Sequence, residues 1–439
     1  MDKKRLKILI VTHDFPPLNK MGSLRTFSWA KYWSKMGHEI CVLTTKKEWF
    51  DGNLNLNIDP IDIEIVKVEE VSYLPIKILT KPKSREKLEV TYSQSNNSLY
   101  IDEIKNLLRK LRRYVGSTFD VHDIWILPAV RKALEIYKNW SYEVIVSSYG
   151  PQASHIVAGI LRRLLNVFWV ADYRDLWYGN HIFFGKWPFP IIEKNIEDYF
   201  VKKADLITVI SDPFKERFIS RFGDKVVTIE NGFDHEELKN IENKEFFPKD
   251  GKIRLVYTGT IYPQKRDPSP LFEAINILRN LGFEVDKKLE VIFYGNDLGN
   301  LRELIKEYKV GNIVKTPGFV DRITSLQAQR SADGLIFLEW EDPSANGVLT
   351  GKLFEYMFSG RPIIGIGVSS KTTSGKLIEV SGTGIALGRD STKIAEVLKK
   401  IIDGERINYS PSQEYLNRYT RKALAEKMLR EIILRLDHY

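Results

Sequence analysis

The chain has 439 residues, 43% of them hydrophobic and 28% charged, a composition that supports two or three domains with sizeable cores. A single cysteine, Cys41, excludes a disulfide framework and a cysteine-built zinc site, and no apolar run approaches the roughly 20 residues of a membrane-spanning helix. The formal charge of +9 fits a phosphate-bearing partner such as a nucleotide sugar or an anionic lipid surface. Nucleic acid is not expected, because no helix-turn-helix, zinc-knuckle or aromatic RNA-binding pattern occurs. The basic start, Met1 to Arg5, leads into a short apolar run interrupted by Lys7, which does not read as a signal peptide. A cytoplasmic location is therefore expected, with a peripheral place on the inner face of the plasma membrane as an option.

Strand-length apolar runs alternate with amphipathic helical runs, the pattern of parallel α/β sheets. Lys7–Thr12 reads as a buried strand, His13–Gly22 as a loop, Ser23–Met36 as a helix closed by Gly37, and Glu39–Thr44 as the next strand. Such a unit holds ligands above its strand ends. From Lys46 to Val121 the pattern is irregular, with a polar loop at Ser93–Ser98 and a basic amphipathic helix at Ile101–Val115. Alternation resumes with strand Val144–Ser147, helix Gln152–Leu165, strands Phe168–Ala171 and Leu206–Ile210, helix Pro213–Phe222 and strand Val226–Ile229. The polar stretch 235–251 reads as a linker. Beyond it the spacing predicts strands at Arg254–Thr258, Glu290–Tyr294, Ile313–Thr316, Gly334–Phe337 and Pro362–Ile366. Helices are expected at Pro270–Leu281, Leu298–Tyr308, Ile323–Ser331, Gly351–Ser359, Thr392–Ile402 and Gln413–Leu436. This order implies two Rossmann-like, doubly wound parallel-sheet domains, 1–234 and 252–409, with a ligand cleft between them. Segment 410–439 is expected to pack back on the first domain.

Three loops at strand ends carry residues suited to chemistry. In the first, Gly22 precedes a helix and Arg25 lies one turn inside it; a bare backbone at a helix start favours an anion, although the same residues also make a plain tight turn. In the second, Gly259-Thr260 leads to Lys265 and Arg266, either cations at the ligand edge of the sheet or a solvated basic turn. The third is the most informative: Gly347, Thr350 and Gly351 open a helix with Lys352 in its first turn and Glu355 three residues on. Free N–H groups and Lys352 suit a diphosphate, and the Glu355 carboxylate suits two ribose hydroxyls. A capped helix with a Lys352–Glu355 ion pair is the competing reading. A cation in a first turn opposes the helix dipole, however, and a bound anion would offset that cost.

Two further candidates stand on the acceptor side. His155 lies near a helix start after strand Val144–Ser147, and Asp175 just after strand Phe168–Ala171. Either they touch substrate, or His155 is packed and Asp175 pairs with Arg174. The basic helix and the aromatic run His181–Pro190, with Phe183, Phe184, Trp187 and Phe189, make a candidate membrane-facing surface.

Jointly these segments resemble glycosyltransferase family 4, the retaining enzymes of GT-B architecture, over nearly the whole chain. ILIVTHDFPP with GSLR resembles the family's opening, and ADLITVISDPFKERF with VVTIENGFD the end of its first domain. LVYTGTIYPQKRDPSPLFEAI resembles its donor loop, and GVLTGKLFEYMFSGRPII its donor helix. VSSYGPQASHIVAGILRRLL with WVADYRDLW resembles a subgroup common in bacterial surface-polysaccharide synthesis. The resemblance implies retaining transfer of a hexosyl-type sugar from a nucleotide sugar to a glycan or polyprenyl-linked acceptor. Gly22, Arg25, Gly259, Gly347, Thr350, Gly351 and Glu355 would bind the donor, while Lys265, Arg266 and Lys352 stabilise the departing diphosphate. No cofactor and no metal is required on this reading, since no Asp-x-Asp triplet occurs. The chain departs from the family in two places. Where two glutamates separated by seven residues are common, it has Gly347 and Glu355, and Thr260 replaces a familiar arginine. A sugar-nucleotide epimerase of the same architecture and a non-catalytic nucleotide-binding subunit are the alternatives; a nicotinamide dehydrogenase is disfavoured by the lack of GxGxxG.

Overall fold

The computed structural model describes residues 5–48, 50–74, 114–180, 185–241, 246–262, 265–295, 298–339, 346–405, 407 and 409–439. It divides into two units, one made of 1–210, 215–229 and 425–439, the other of 211–214 and 230–424. The expected polar loop at Ser93–Ser98, most of the basic helix at Ile101–Val115, and Phe183 and Phe184 lie outside the described residues.

The first unit is built on a seven-stranded sheet: β1 (Lys7–Val11), β2 (Glu39–Thr45), β3 (Lys67–Val71), β4 (Val144–Ser148), β5 (Phe168–Tyr173), β6 (Leu206–Val209) and β7 (Val226–Thr228). Its order is β3-β2-β1-β4-β5-β6-β7, with every pairing parallel. Six strands form the sheet of the second unit: β8 (Ile253–Thr258), β9 (Leu289–Tyr294), β10 (Val314–Gly318), β11 (Gly334–Leu338), β12 (Ile363–Ile366) and β13 (Gly384–Ala386). The order β10-β9-β8-β11-β12-β13 is again all parallel. Both units are therefore Rossmann-like α/β layers. In each, the strand order reverses beside the first strand, between β1 and β4 and between β8 and β11. Ligands of open parallel sheets bind outside the carboxyl ends of the strands at that reversal.

Central strands carry apolar side chains at nearly every position because helices cover both faces of a parallel sheet. Ile8, Leu9, Ile10 and Val11 of β1 are fully buried, as are all of β4 and β11. The edge strands differ. Lys67-Val-Glu-Glu-Val in β3 alternates charge with Val and is only half buried, so it offers no apolar run to read, and charge on an edge also discourages pairing with another chain. The helix Met21–Lys35 ends where Gly37, at φ +91°, reverses the chain. Gly37 N donates to Ser34 O at 2.9 Å and His38 N to Trp33 O at 3.1 Å, which satisfies the last carbonyls.

Several elements escaped the sequence reading. Ile126–Trp140 is a helix although Pro128 lies inside it; the proline sits in the first turn, where its missing N–H costs nothing. Phe189–Val201, whose first two residues close the aromatic run, is a helix that no sequence expectation named. The expected linker 235–251 is partly built structure: His235–Asn240 forms a 3-10 turn in the second unit, with Asp234 accepting from Glu236 N at 3.1 Å. The single helix expected at Gln413–Leu436 is two, Gln413–Asn417 and Arg421–Leu436. Between them Phe233 N donates to Tyr419 O and Arg421 N to Phe233 O, both at 3.1 Å, so the backbone there makes a strand-like bridge instead of a helical turn. Residues from Ala425 onward belong to the first unit, where the buried Trp33 indole donates to Ala425 O at 2.8 Å.

Candidate functional site

In the second unit the loops after β8 and β11 flank the reversal of strand order. Gly259 ends β8 at φ +124°, a conformation that disfavours any side chain, and a methyl group there would stand 2.8 Å from Lys352 Nζ. The Lys352 ammonium lies 3.8 Å above the centre of the Tyr257 ring. Its Nζ is sealed from solvent and has no hydrogen-bond partner among the described residues. Burial pushes the Lys352 amine well below its ordinary range, and the Arg266 guanidinium pushes the same way while Glu355 opposes both. Thr350 Oγ1, two residues before Lys352, is likewise buried without a partner. Arg266 completes this edge, donating to Thr260 O at 3.0 Å, and Lys265 is half buried in the same turn, whose two backbone N–H groups both reach Tyr262 O at 3.1 Å.

Glu355 is on the same short helix, which runs Gly351–Met357, two residues shorter than expected. The Lys352–Glu355 ion pair of the competing reading does not form. Instead Arg322 Nη1 donates to Glu355 Oε1 at 2.8 Å, and the same guanidinium grips Glu237, whose other oxygen accepts from Arg421 at 2.7 Å. Burial works to raise the Glu355 carboxyl, but Arg322 more than offsets it and keeps it ionised. Gln329 Nε2 approaches Glu355 Oε2 at 3.5 Å and Thr258 Oγ1 at 3.1 Å, tying the helix to the end of β8. None of Glu237, Arg322 or Arg421 was a sequence candidate; they meet only through the fold.

The structure also accounts for Gly347. It holds φ +95°, and a methyl group on it would meet Ser211 Oγ at 2.7 Å and Pro213 and Phe214 at 3.0 Å. A glutamate at this position has neither a comfortable backbone nor room for its first carbon.

In the first unit, two sequence candidates change role. Arg25 is not an open anion ligand. It is buried, its Nη2 lies 2.7 Å from Asp172 Oδ1 and 2.8 Å from Ile229 O, and Nε lies 3.2 Å from Asp172 Oδ2. Asp172, also buried, accepts in addition from Ser148 Oγ at 2.9 Å and Thr208 Oγ1 at 2.7 Å. The cation beside Gly22 is Arg174. A methyl group on Gly22 would stand 2.6 Å from both Arg174 Cζ and Asp14 Oδ2, so glycine is needed there for the Arg174–Asp14 pair.

His155 is a packed core histidine. Its ring lies fully buried among Tyr149, Trp169, Tyr173 and Trp177, and its Nδ1 pairs with Ser147 Oγ at 2.8 Å. A strand-end position looks the same in sequence whether the side chain turns to a ligand or into the rings beside it. Asp175 is partly exposed, 3.6 Å from Arg174 Nη1, so the pairing alternative is the one formed. Burial drives the His155 imidazole down to about 3, against 6.5 in an open chain. The folded state thus holds fewer protons, so this contribution to stability is complete above pH 6.5 and drains away as pH falls toward 3. At roughly 1.4 kcal/mol per unit, the loss near pH 4 is on the order of 3 kcal/mol. The stability advantage of wild type over His155→Gln, measured by urea unfolding, should shrink steadily from pH 7 to pH 4; an advantage that stays constant rejects this account.

A second group in the first unit was missed. His13, just past β1, is fully buried, with Nδ1 at 2.9 Å from Asp14 Oδ1 and Nε2 at 2.9 Å from Asp51 Oδ1. Tyr73 donates to the same Asp51 oxygen at 2.7 Å, and His122 Nε2 stands 3.2 Å from it. Only His13-Asp14 was visible as a motif; the other members come from loops far along the chain.

Comparison with known proteins agrees with this architecture. Residues 24–237 match the family model described as Glycosyltransferase Family 4. No curated protein sequence matches the chain. Among solved structures, the chain is similar to sucrose-phosphate synthase from Thermosynechococcus elongatus (14% identity, 99% of this chain and 100% of that one, TM-score 0.59). It is also similar to the lipopolysaccharide outer core galactosyltransferase WaaB in its apo form (12%, 98% and 99%, TM-score 0.55). UDP-GlcNAc 2-epimerase from Methanocaldococcus jannaschii shares the fold to the same degree (12%, 98% and 100%, TM-score 0.55). Residues 24–237 thus match glycosyltransferase family 4, in a chain whose two Rossmann-like units have the GT-B fold.

Proposed function

We propose that the chain is a glycosyltransferase that moves a hexosyl-type sugar, with retention, from a nucleotide sugar to a glycan or lipid-linked acceptor in cell-surface polysaccharide synthesis. The observation that carries this reading is the Lys352 amine, buried at the ligand edge of the second sheet with no hydrogen-bond partner among the described residues. A buried amine without a counter-charge costs stability, and a diphosphate beside it removes the cost. Thr350 Oγ1 and the Lys265–Arg266 turn would supply further donors to the same anion, and the ionised Glu355 would accept from ribose hydroxyls. As the glycosidic bond breaks, negative charge gathers on the leaving diphosphate, where these fixed cations act without reorganisation. They take the place a metal ion would hold on the diphosphate. A leaving-group oxygen then accepts the acceptor's hydroxyl proton on the same face of the sugar, which gives retention without a side-chain base.

Donor binding then carries a proton signature. The Lys352 pKa is depressed in the free protein and rises beside a diphosphate, so between the lowered value and 10.5 binding takes up a proton and weakens as pH rises. Calorimetry with UDP and GDP in buffers of different ionisation enthalpy should read that uptake in the wild type and none in Lys352→Met. Equal proton counts would overturn the assignment. Products then separate transfer from the epimerase reading, which the shared fold keeps in view: transfer or slow hydrolysis of the donor supports the first, an epimerised nucleotide sugar the second.

The lipid-linked acceptor rests on a surface near the start of the Phe189–Val201 helix. Trp187 is 80% exposed, and Ile191 and Ile192 are exposed beside it with Lys186 adjacent. Aromatic and aliphatic groups next to a cation suit an anionic bilayer surface. Sedimentation with anionic vesicles at low salt is expected to carry the protein down, less so for Trp187→Ser; no sedimentation removes the membrane part.

A further inference from the structure

We propose that His13, Asp51 and His122 bind a divalent transition-metal ion in the first unit, a site of two imidazole nitrogens and one carboxylate oxygen. The residues come from three loops: His13 follows β1, Asp51 follows β2, and His122 sits in the 3-10 turn Val121–Trp125. They gather at the carboxyl end of β1, beside the point where the strand order of the first sheet reverses, the ligand-binding position of such folds.

The ligand atoms already converge. His13 Nε2 lies 2.9 Å and His122 Nε2 3.2 Å from Asp51 Oδ1, and the three atoms all fall within 4.8 Å of one another. Ligands held at 2.0–2.1 Å around a tetrahedral zinc ion stand about 3.3 Å apart, so only small shifts separate the two arrangements. His13 and Asp51 are fully buried, and His122 Nε2 is itself buried without a hydrogen bond.

The other face of each imidazole strengthens the case. His13 Nδ1 pairs with Asp14 Oδ1 at 2.9 Å, and His122 Nδ1 pairs with Asp120 Oδ1. Each ring thus has a carboxylate at both nitrogens, and a cation that takes the place of the Nε2 proton leaves Nδ1–H donating to Asp14 or Asp120 while it meets three ligand atoms already gathered at one point. Carboxylate behind histidine is also what orients most metal-ligating imidazoles and raises their basicity. These carboxylates are themselves fixed: Asp14 by Arg174 and Lys20, Asp120 by the reciprocal cap in which its N donates to Asp123 Oδ2 at 2.8 Å. Two nitrogens and one oxygen select zinc-like borderline ions over magnesium or calcium, which prefer all-oxygen shells. The sequence reading asked for no metal at the donor, and this site is in the other unit.

The rival is a closed hydrogen-bond cluster, in which Tyr73 and ring protons satisfy Asp51 without any ion. Equilibrium dialysis of the untagged, chelator-stripped full chain against Zn(II) or Co(II), with elemental analysis, separates the two. The expected result is one ion per chain, with visible Co(II) absorption of low coordination number. His122→Ala and Asp51→Asn should lose it, and Asp120→Asn should bind about 10–100-fold more weakly. Wild-type protein that retains no ion overturns the proposal, as does retention equal in wild type, Asp51→Asn and Asp120→Asn. Should His122→Ala fail to fold, as judged by circular dichroism, the isosteric Asp51→Asn and Asp120→Asn proteins decide. None of these readings depends on sugar transfer.

Discussion

Lys352→Ala is expected to lower kcat about 10²–10³-fold at saturating donor, the loss that follows removal of one preorganised group from a developing negative charge. The size follows from its surroundings. Nζ is buried and stands over the Tyr257 ring, so truncation removes a fixed charge that no hydrogen-bonded side chain among the described residues shares. Arg266 remains in the variant, which is why the loss is bounded. Lys352→Met keeps most of the aliphatic stem and should lose nearly as much turnover, while its melting temperature stays level with wild type or rises, because a buried unpaired amine is gone. Both variants are read by steady-state kinetics with the donor identified by thermal shift. Near-wild-type kcat in Lys352→Met would show that the ammonium does not act on the leaving group.

The second large effect concerns stability. Arg25→Ala leaves the buried Asp172 carboxylate with two hydroxyl donors and no hydrogen-bonded counter-charge, a change that typically costs about 3–5 kcal/mol. In a domain of this size the melting temperature of the first unit should drop on the order of 10 °C. The Arg25→Ala, Asp172→Asn double variant should recover part of the loss, because the orphaned charge is gone. An anion-binding Arg25 would behave in the opposite way, with donor KM rising and the melting temperature hardly moving. Calorimetry and kinetics on the same preparations distinguish the two.

What the chain order revealed, and what it hid, divides along the range of the interactions. β1, β4, β8 and β11 were legible because central parallel strands bury both faces and so carry three or more apolar residues in a row. β3 was not, because an edge strand of Lys, Val and Glu has no such run, and β13 was missed because Gly384-Ile385-Ala386 carries only one large apolar side chain. Gly259, Lys265 and Arg266 stood out as candidates because they follow β8 closely, and Lys352 because it is a cation in the first turn of a helix. Arg322, Glu237 and Arg421 were not, since Arg322 reaches Glu355 across 33 positions and Arg421 reaches Glu237 across 184. Arg25 and His155 show the converse limit. Charge or imidazole near a strand end marks a ligand edge only if the side chain turns outward, and these two turn inward to Asp172 and to a cage of aromatic rings.

The assignment of residues 425–439 to the first unit sets the order in which the protein can be completed. Synthesis runs from the amino end, so all of the second unit leaves the ribosome before the first has its closing helix. Until then the Trp33 indole lacks its acceptor on Ala425, and the places of Met428, Leu429 and Ile432 in the core are empty. The half that is made first is therefore the half that finishes last. A nascent chain halted after 424, or a fragment cut there, holds an apolar groove open to water and to chaperones.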